Sequence, residues 1–168
     1  MRYYQLIAES DSEHADTLKS TGFWGKAGAG AIFVALDTGR LLLNHRSKYV
    51  EQPGTWGVWG GAIDGRESPI QAAKREAQEE AGFTPDDNSI VPIYVFHDVK
   101  SGFKYYNFLI LVDTEFTPNI PSESRWETQG WEWVEYGKWP QPLHFGVKAI
   151  LNDSNSVNTI KKIIQNID

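Results

Sequence analysis

The chain contains no cysteine, which rules out both disulfide bridges and thiolate metal ligands. That lack suits a reducing compartment, and a cytoplasmic location is expected. Positive charge is also short. Sixteen Lys and Arg face 22 Asp and Glu, for a formal net charge of −6 at pH 7. Sequence-independent binding of duplex DNA relies on basic patches, so no duplex nucleic acid partner is expected. No apolar run approaches membrane-spanning length. The opening MRYYQLIAESD has neither the apolar core nor the cleavage site of a signal peptide, so no membrane partner is expected either. What is present is aromatic: seven Trp, seven Tyr and eight Phe in 168 residues, enough chain for one domain with a buried core.

Along the chain, Tyr3 to Ala8 reads as a short strand and Glu9 to Gly22 as a polar connection. KAGAGAIFVAL (26–36) predicts a small-residue strand whose glycines permit close backbone approach. Asp37-Thr38-Gly39 turns it into RLLLNHR (40–46), giving a hairpin. Residues 47–65 form a long Gly- and Trp-rich segment, and loops of that length inside a compact domain are usually functional. A second hairpin is predicted from 90–99 and 103–116 around Ser101-Gly102. Residues 117–130 read as a polar loop and 130–136 as a short strand, with helices near 143–152 and 157–167. Helices interspersed with hairpins predict an α/β fold in which helices pack a mixed sheet.

One helix has clear boundaries. Ser68 can cap it, Pro69 suits its first position, Gln71 completes a capping box and Gly82 stops it, so it should run from Pro69 to Ala81. Ile70, Ala77 and Ala81 make a narrow apolar stripe, Gln71, Lys74 and Gln78 face water, and Ala72, Glu76, Glu79 and Glu80 form a third side. Like charges at that spacing cost a helix roughly 0.2–0.5 kcal/mol per pair. A charge run is ordinarily a solvated face. Here the polar side is already supplied, and no Lys or Arg follows the acids by four residues. Grouped carboxylates become favourable around a hard divalent cation, which turns a repulsive cluster into a polyphosphate site and supplies a Lewis acid.

GAIDGRESPIQAAKREAQEEAGF, Gly61 to Phe83, resembles the Nudix box of the Nudix hydrolase family. Gly61, Glu67, Arg75, Glu76, Glu79, Glu80, Gly82 and Phe83 fill its fixed positions without a gap, and many fixed positions at fixed spacing are a strong signal. Trp59 stands where relatives often carry Pro. The family-like region runs from about Ala27 to Leu151. Residues 1–24 read as an N-terminal extension and 155–168 as a C-terminal helix outside the family core of a single domain spanning 1–168.

The resemblance implies an α/β/α sandwich around a mixed β-sheet and hydrolysis of a nucleoside diphosphate-linked compound with Mg²⁺ or Mn²⁺. By position, Glu76, Glu79, Glu80 and the carbonyl of Gly60 would hold metal, Glu67 would join through water or a second ion, and Arg75 would orient a carboxylate. The general base would be Glu76, slightly ahead of Glu127 on the loop that also carries Glu123; a loop acid near solvent keeps an ordinary pKa. Arg46 or Lys48 would hold phosphates. Trp24, Trp56, Tyr105 and Trp126 are candidates for stacking on a base, and PLHFG (142–146) resembles a segment of some nucleotide-cleaving relatives. No Pro stands about sixteen residues past the box, where ADP-ribose-cleaving relatives have one. The expected substrate is therefore a nucleoside triphosphate, unmodified or oxidised, cleaved to monophosphate and pyrophosphate. A nucleotide sugar such as GDP-mannose or a dinucleoside polyphosphate is the alternative substrate. A nucleotide-binding sensor or interaction module is the alternative class, and the chain would be a monomer or homodimer.

Overall fold

Strand β1 (Ala27–Ala35) owes its central place to small side chains, which let neighbours approach on both edges and both faces. The computed structural model describes residues 26–167. The expected strand at Tyr3–Ala8, the connection at Glu9–Gly22 and Trp24 lie outside them. β1 runs parallel to β6 (Lys104–Val112) over nine paired positions, from Ala27↔Lys104 to Ala35↔Val112. Its other edge is shared. Phe33 and Val34 pair with β2 (Leu41–Arg46), while Gly28 to Ala31 pair with β4 (Trp59–Ala62). β2 in turn carries β3 (Trp56–Gly57) and β7 (Thr128–Val134), and β5 (Ile90–His97) closes the far side against β6.

Period-two alternation along β1 creates two cores. Ala29, Ala31, Phe33 and Ala35 meet Leu42, Trp59, Phe108 and Ile110 beneath helix α1 (Pro69–Ala81). Ile32 and Val34 meet Leu41, Leu43, Leu109 and Val134 beneath α2 (Phe145–Asn152) and α3 (Ser154–Gln165). This is the α/β/α sandwich around a mixed sheet.

The expected boundaries of α1 hold because its caps are local. Ser68 Oγ accepts the Gln71 amide at 3.2 Å, Gln71 Oε1 accepts the Ser68 amide at 2.8 Å, and Gly82 ends the helix in the left-handed region at φ 69°. Elsewhere expectation is corrected. Ile70 is 39% exposed, and the buried apolar side of α1 is all alanine: Ala72, Ala73, Ala77 and Ala81. The long segment 47–65 contains two short strands, because Trp59 anchors it in the core. Its ring meets Phe33 edge-on at 6.3 Å and its Nε1 donates to the Leu42 carbonyl at 3.2 Å. That anchoring accounts for Trp at this position. β6 ends at Val112, short of residue 116, and β5 carries an irregularity between Pro92 and Val95, where proline has no N–H to give. α3 begins at Ser154, three residues before the expected start, because Asp153 caps it by accepting the Ser156 amide.

A Cβ at Gly82 would collide with the Asn119 carbonyl, and the left-handed φ adds strain. Gly82→Ala should therefore lose about 2 kcal/mol or more, against about 1 kcal/mol for Ser68→Ala. Urea midpoints compare them, and equal losses would show that the Asn119 loop simply moves aside.

Candidate active site

The acidic side of α1 is turned inward. Glu76 is fully buried and Glu80 is 4% exposed, while the Glu79 side chain is 37% exposed. What makes this tolerable is Arg75. Its Nε and Nη2 grip both oxygens of Glu67 at 2.8 and 2.9 Å, Nη1 donates to Glu76 at 3.1 Å and Glu79 at 3.2 Å, and Nη2 also donates to the Ala62 carbonyl at 3.0 Å. Such a web is far from an exposed surface pair. Glu67 also accepts the Asp64 amide at 2.8 Å, and the Arg75 hydrogen bond holds its carboxyl below the usual range.

Glu80 lies beyond the reach of these contacts. Its Oε2 accepts the Gly60 amide at 3.0 Å. Burial pushes its pKa up to about 7; the charge of Arg46 and hydrogen bonds with Glu127 and Gly60 offset part of that rise. Glu127 is thus a direct partner of Glu80. It is 6% exposed, which overturns the expectation of a loop acid near solvent. Two serines pull its loop inward. Ser47 binds the Glu127 carbonyl through its amide at 2.8 Å and the Trp126 carbonyl through its hydroxyl at 2.5 Å, while Ser124 Oγ donates to the Glu79 carbonyl at 2.5 Å. Sequence reading missed both serines, because their hydroxyls act on residues 79 and 45 positions away and no local pattern marks them. Glu123, by contrast, is exposed.

Arg46 is no ordinary surface charge. Its Nε and Nη2 donate to the Glu51 carbonyl at 2.9 and 2.6 Å, and burial lowers its pKa against the pull of Glu80, Tyr105, Glu51 and Glu127. Lys48 is exposed, over the Tyr49 ring. Trp56 is half-buried and stacked on His45 at 4.1 Å; Trp126 is half-buried. Tyr105 lies against Gly28, Gly30 and Gly60, so one side of its ring is taken by backbone. Within the PLHFG segment, His144 caps α2 by accepting the Gly146 amide at 3.0 Å, and burial lowers its pKa to about 3, keeping the ring neutral.

Among the described residues no three His, Asp or Glu side chains converge tightly enough to enclose a metal ion. The donor chemistry nevertheless suits a hard cation. Every candidate atom is oxygen, and burial pushes the Glu80 carboxyl up to about 7, a rise that a nearby positive charge would reverse. Both oxygens of Glu67 are engaged by Arg75, so the structure places it as the partner of that guanidinium.

Residues 25–152 match the family model of the NUDIX domain. The chain belongs to the NUDIX domain family. Over 77 residues it is 39% identical to a nucleoside triphosphate pyrophosphatase/Nudix hydrolase fusion protein of Bifidobacterium longum, covering 42% of this chain and 16% of that one. Over 68 residues it is 41% identical to a putative 8-oxo-dGTP diphosphatase 3 of Mycobacterium tuberculosis, covering 38% of this chain and 31% of that one. The aligned stretches thus span less than a third of these curated relatives. The crystal structure of RenU, a Nudix hydrolase from M. smegmatis, superposes with a TM-score of 0.63 at 25% identity, over 87% of this chain and 90% of that one. No helix among the described residues is long and apolar enough to cross a membrane.

In this NUDIX domain Glu80 has a folded pKa of about 7 against an ordinary 4.5. Between those values the folded state holds a proton that the unfolded chain has lost. The stability from that proton is full below about pH 4.5 and is lost as pH rises through about 7. Metal-free protein should therefore melt at progressively lower temperature from about pH 5 to pH 8, relative to Glu80→Gln, which imitates the protonated acid. Parallel melting curves for the two proteins would show that Glu80 is ionised throughout.

Proposed function

We propose that the chain is a divalent-metal-dependent pyrophosphohydrolase that cleaves a nucleoside triphosphate, unmodified or oxidised, to the monophosphate and pyrophosphate. The observation that carries this reading is the inward acid face of α1, with Glu76 and Glu80 buried, Glu79 beside them and Glu80 fastened to the Gly60 amide. One guanidinium leaves that face net negative, a state a hard cation neutralises. Glu76, Glu79, Glu80 and the Gly60 carbonyl would hold Mg²⁺ or Mn²⁺ once the carboxylates turn toward it. Such an ion supplies Lewis acidity at a phosphoryl oxygen and lowers the pKa of water. Arg75, held by Glu67, keeps Glu76 and Glu79 aligned. Arg46, within electrostatic reach of Glu80 and Glu127, offers its charge to the phosphates, with Lys48 further out. Trp56 and Trp126, both half-buried, would stack on the base.

We infer that Glu127, rather than Glu76, acts as the general base. Glu76 has Oε1 held by Arg75, whereas Glu127 hydrogen-bonds Glu80 and would take the proton of a water attacking phosphorus. The relative from M. tuberculosis, named a putative 8-oxo-dGTP diphosphatase, supports the oxidised triphosphate as a substrate.

A panel of dGTP, 8-oxo-dGTP, ADP-ribose, GDP-mannose and a dinucleoside polyphosphate tests the reading. The highest kcat/KM should fall on a triphosphate, with pyrophosphate released and EDTA abolishing turnover. A higher value for the sugar nucleotide or the dinucleotide would replace the substrate, and no hydrolysis of any of them would favour a binding module. In the same assay Glu127→Gln should lose about 10²–10⁴-fold in turnover at unchanged Mn²⁺ affinity. Glu76→Gln should chiefly weaken Mn²⁺ binding, and the opposite pattern would restore Glu76 as the base.

A further inference from the structure

Tyr105 pairs with Gly28 in the β1–β6 ladder, and its position depends on three missing side chains. A Cβ on Gly28 would come within 2.6 Å of the ring, one on Gly30 within 2.5 Å of the hydroxyl, and one on Gly60 would overlap the hydroxyl. The phenol oxygen therefore lies over Gly30 and Gly60, where the Gly60 amide reaches the Glu80 carboxylate. It also senses the charges of Glu80 and Arg46. Among the described residues this hydroxyl has no hydrogen-bond partner, although the side chain is only half-buried. A Phe would fill the same glycine trough without placing a polar atom there, so packing accounts for the ring and leaves the hydroxyl unexplained.

We infer that the Tyr105 hydroxyl donates a hydrogen bond to a phosphoryl oxygen of the bound substrate, so that Tyr105 binds the polyphosphate and not the base. A phenol stays protonated to about pH 10 and is a neutral donor throughout the working range. Between an acid cluster and Arg46 it adds a directed contact without adding charge. The assignment rests on the polyphosphate substrate proposed above.

The test compares the full chain with Tyr105→Phe in Mg²⁺. Measured are kcat and KM for dGTP and 8-oxo-dGTP, the affinity for inorganic pyrophosphate by calorimetry, Mn²⁺ affinity and melting temperature. A hydrogen bond to a charged group predicts a loss of roughly 10- to 100-fold in kcat/KM and a parallel weakening of pyrophosphate binding. Melting temperature and Mn²⁺ affinity should not change. Active wild type with an indistinguishable variant would overturn the inference while sparing the proposed function. Loss of stability or of Mn²⁺ affinity in proportion to activity would make Tyr105 structural and overturn it too. Wild type that neither turns over these nucleotides nor binds pyrophosphate would overturn both.

Discussion

The site depends on one guanidinium. Arg75 emerges from the middle of α1, binds both oxygens of Glu67, and reaches Glu76, Glu79 and the Ala62 carbonyl. Through Ala62 it ties the helix to β4, and through Glu67 it ties the helix to the turn that precedes it. Buried carboxylates are tolerable only when paired, hydrogen-bonded or protonated. Arg75 satisfies the first half of the acid face in the first two ways, and Glu80 meets its burial in the last two. The two ends of one helix face therefore carry different electrostatic solutions, a guanidinium at one and a proton at the other.

Around that face, space is managed by omission. The alanines of α1 let its backbone close on β1 and β4, and Gly28, Gly30 and Gly60 leave a trough for Tyr105. Trp59 does the opposite, filling the core and fixing the strand that presents Gly60 to Glu80. The loop at residues 122–128 is drawn over the same place by Ser47 and Ser124, which converts Glu127 from a surface acid into the partner of Glu80.

What could be read in advance was local. Ser68, Gln71 and Gly82 set the ends of α1 because a cap involves residues only three or four apart, and the spacing of Glu76, Glu79 and Glu80 put them on one side for the same reason. The hairpin at Asp37-Thr38-Gly39 and the mixed sheet followed from turn chemistry and segment order. Ile70 was misplaced because helical periodicity defines a stripe without saying which flank the sheet covers. Glu127 was legible as a candidate base but not as the buried partner of Glu80, and the packing of Trp59 and Tyr105 was not legible. Each is placed by partners far along the chain: the Glu80 carboxyl, the Leu42 carbonyl and the glycines of β1 and β4.

A cation bound at the acid face should displace the proton that burial keeps on Glu80. Calorimetric titration of metal-free protein with Mn²⁺, repeated in buffers of different ionisation enthalpy, counts the protons released on binding. Close to one proton per metal should be released at about pH 6, and almost none at about pH 8.5, where Glu80 is already ionised. Mn²⁺ binding with no proton release at either pH, or no binding at all, would contradict it.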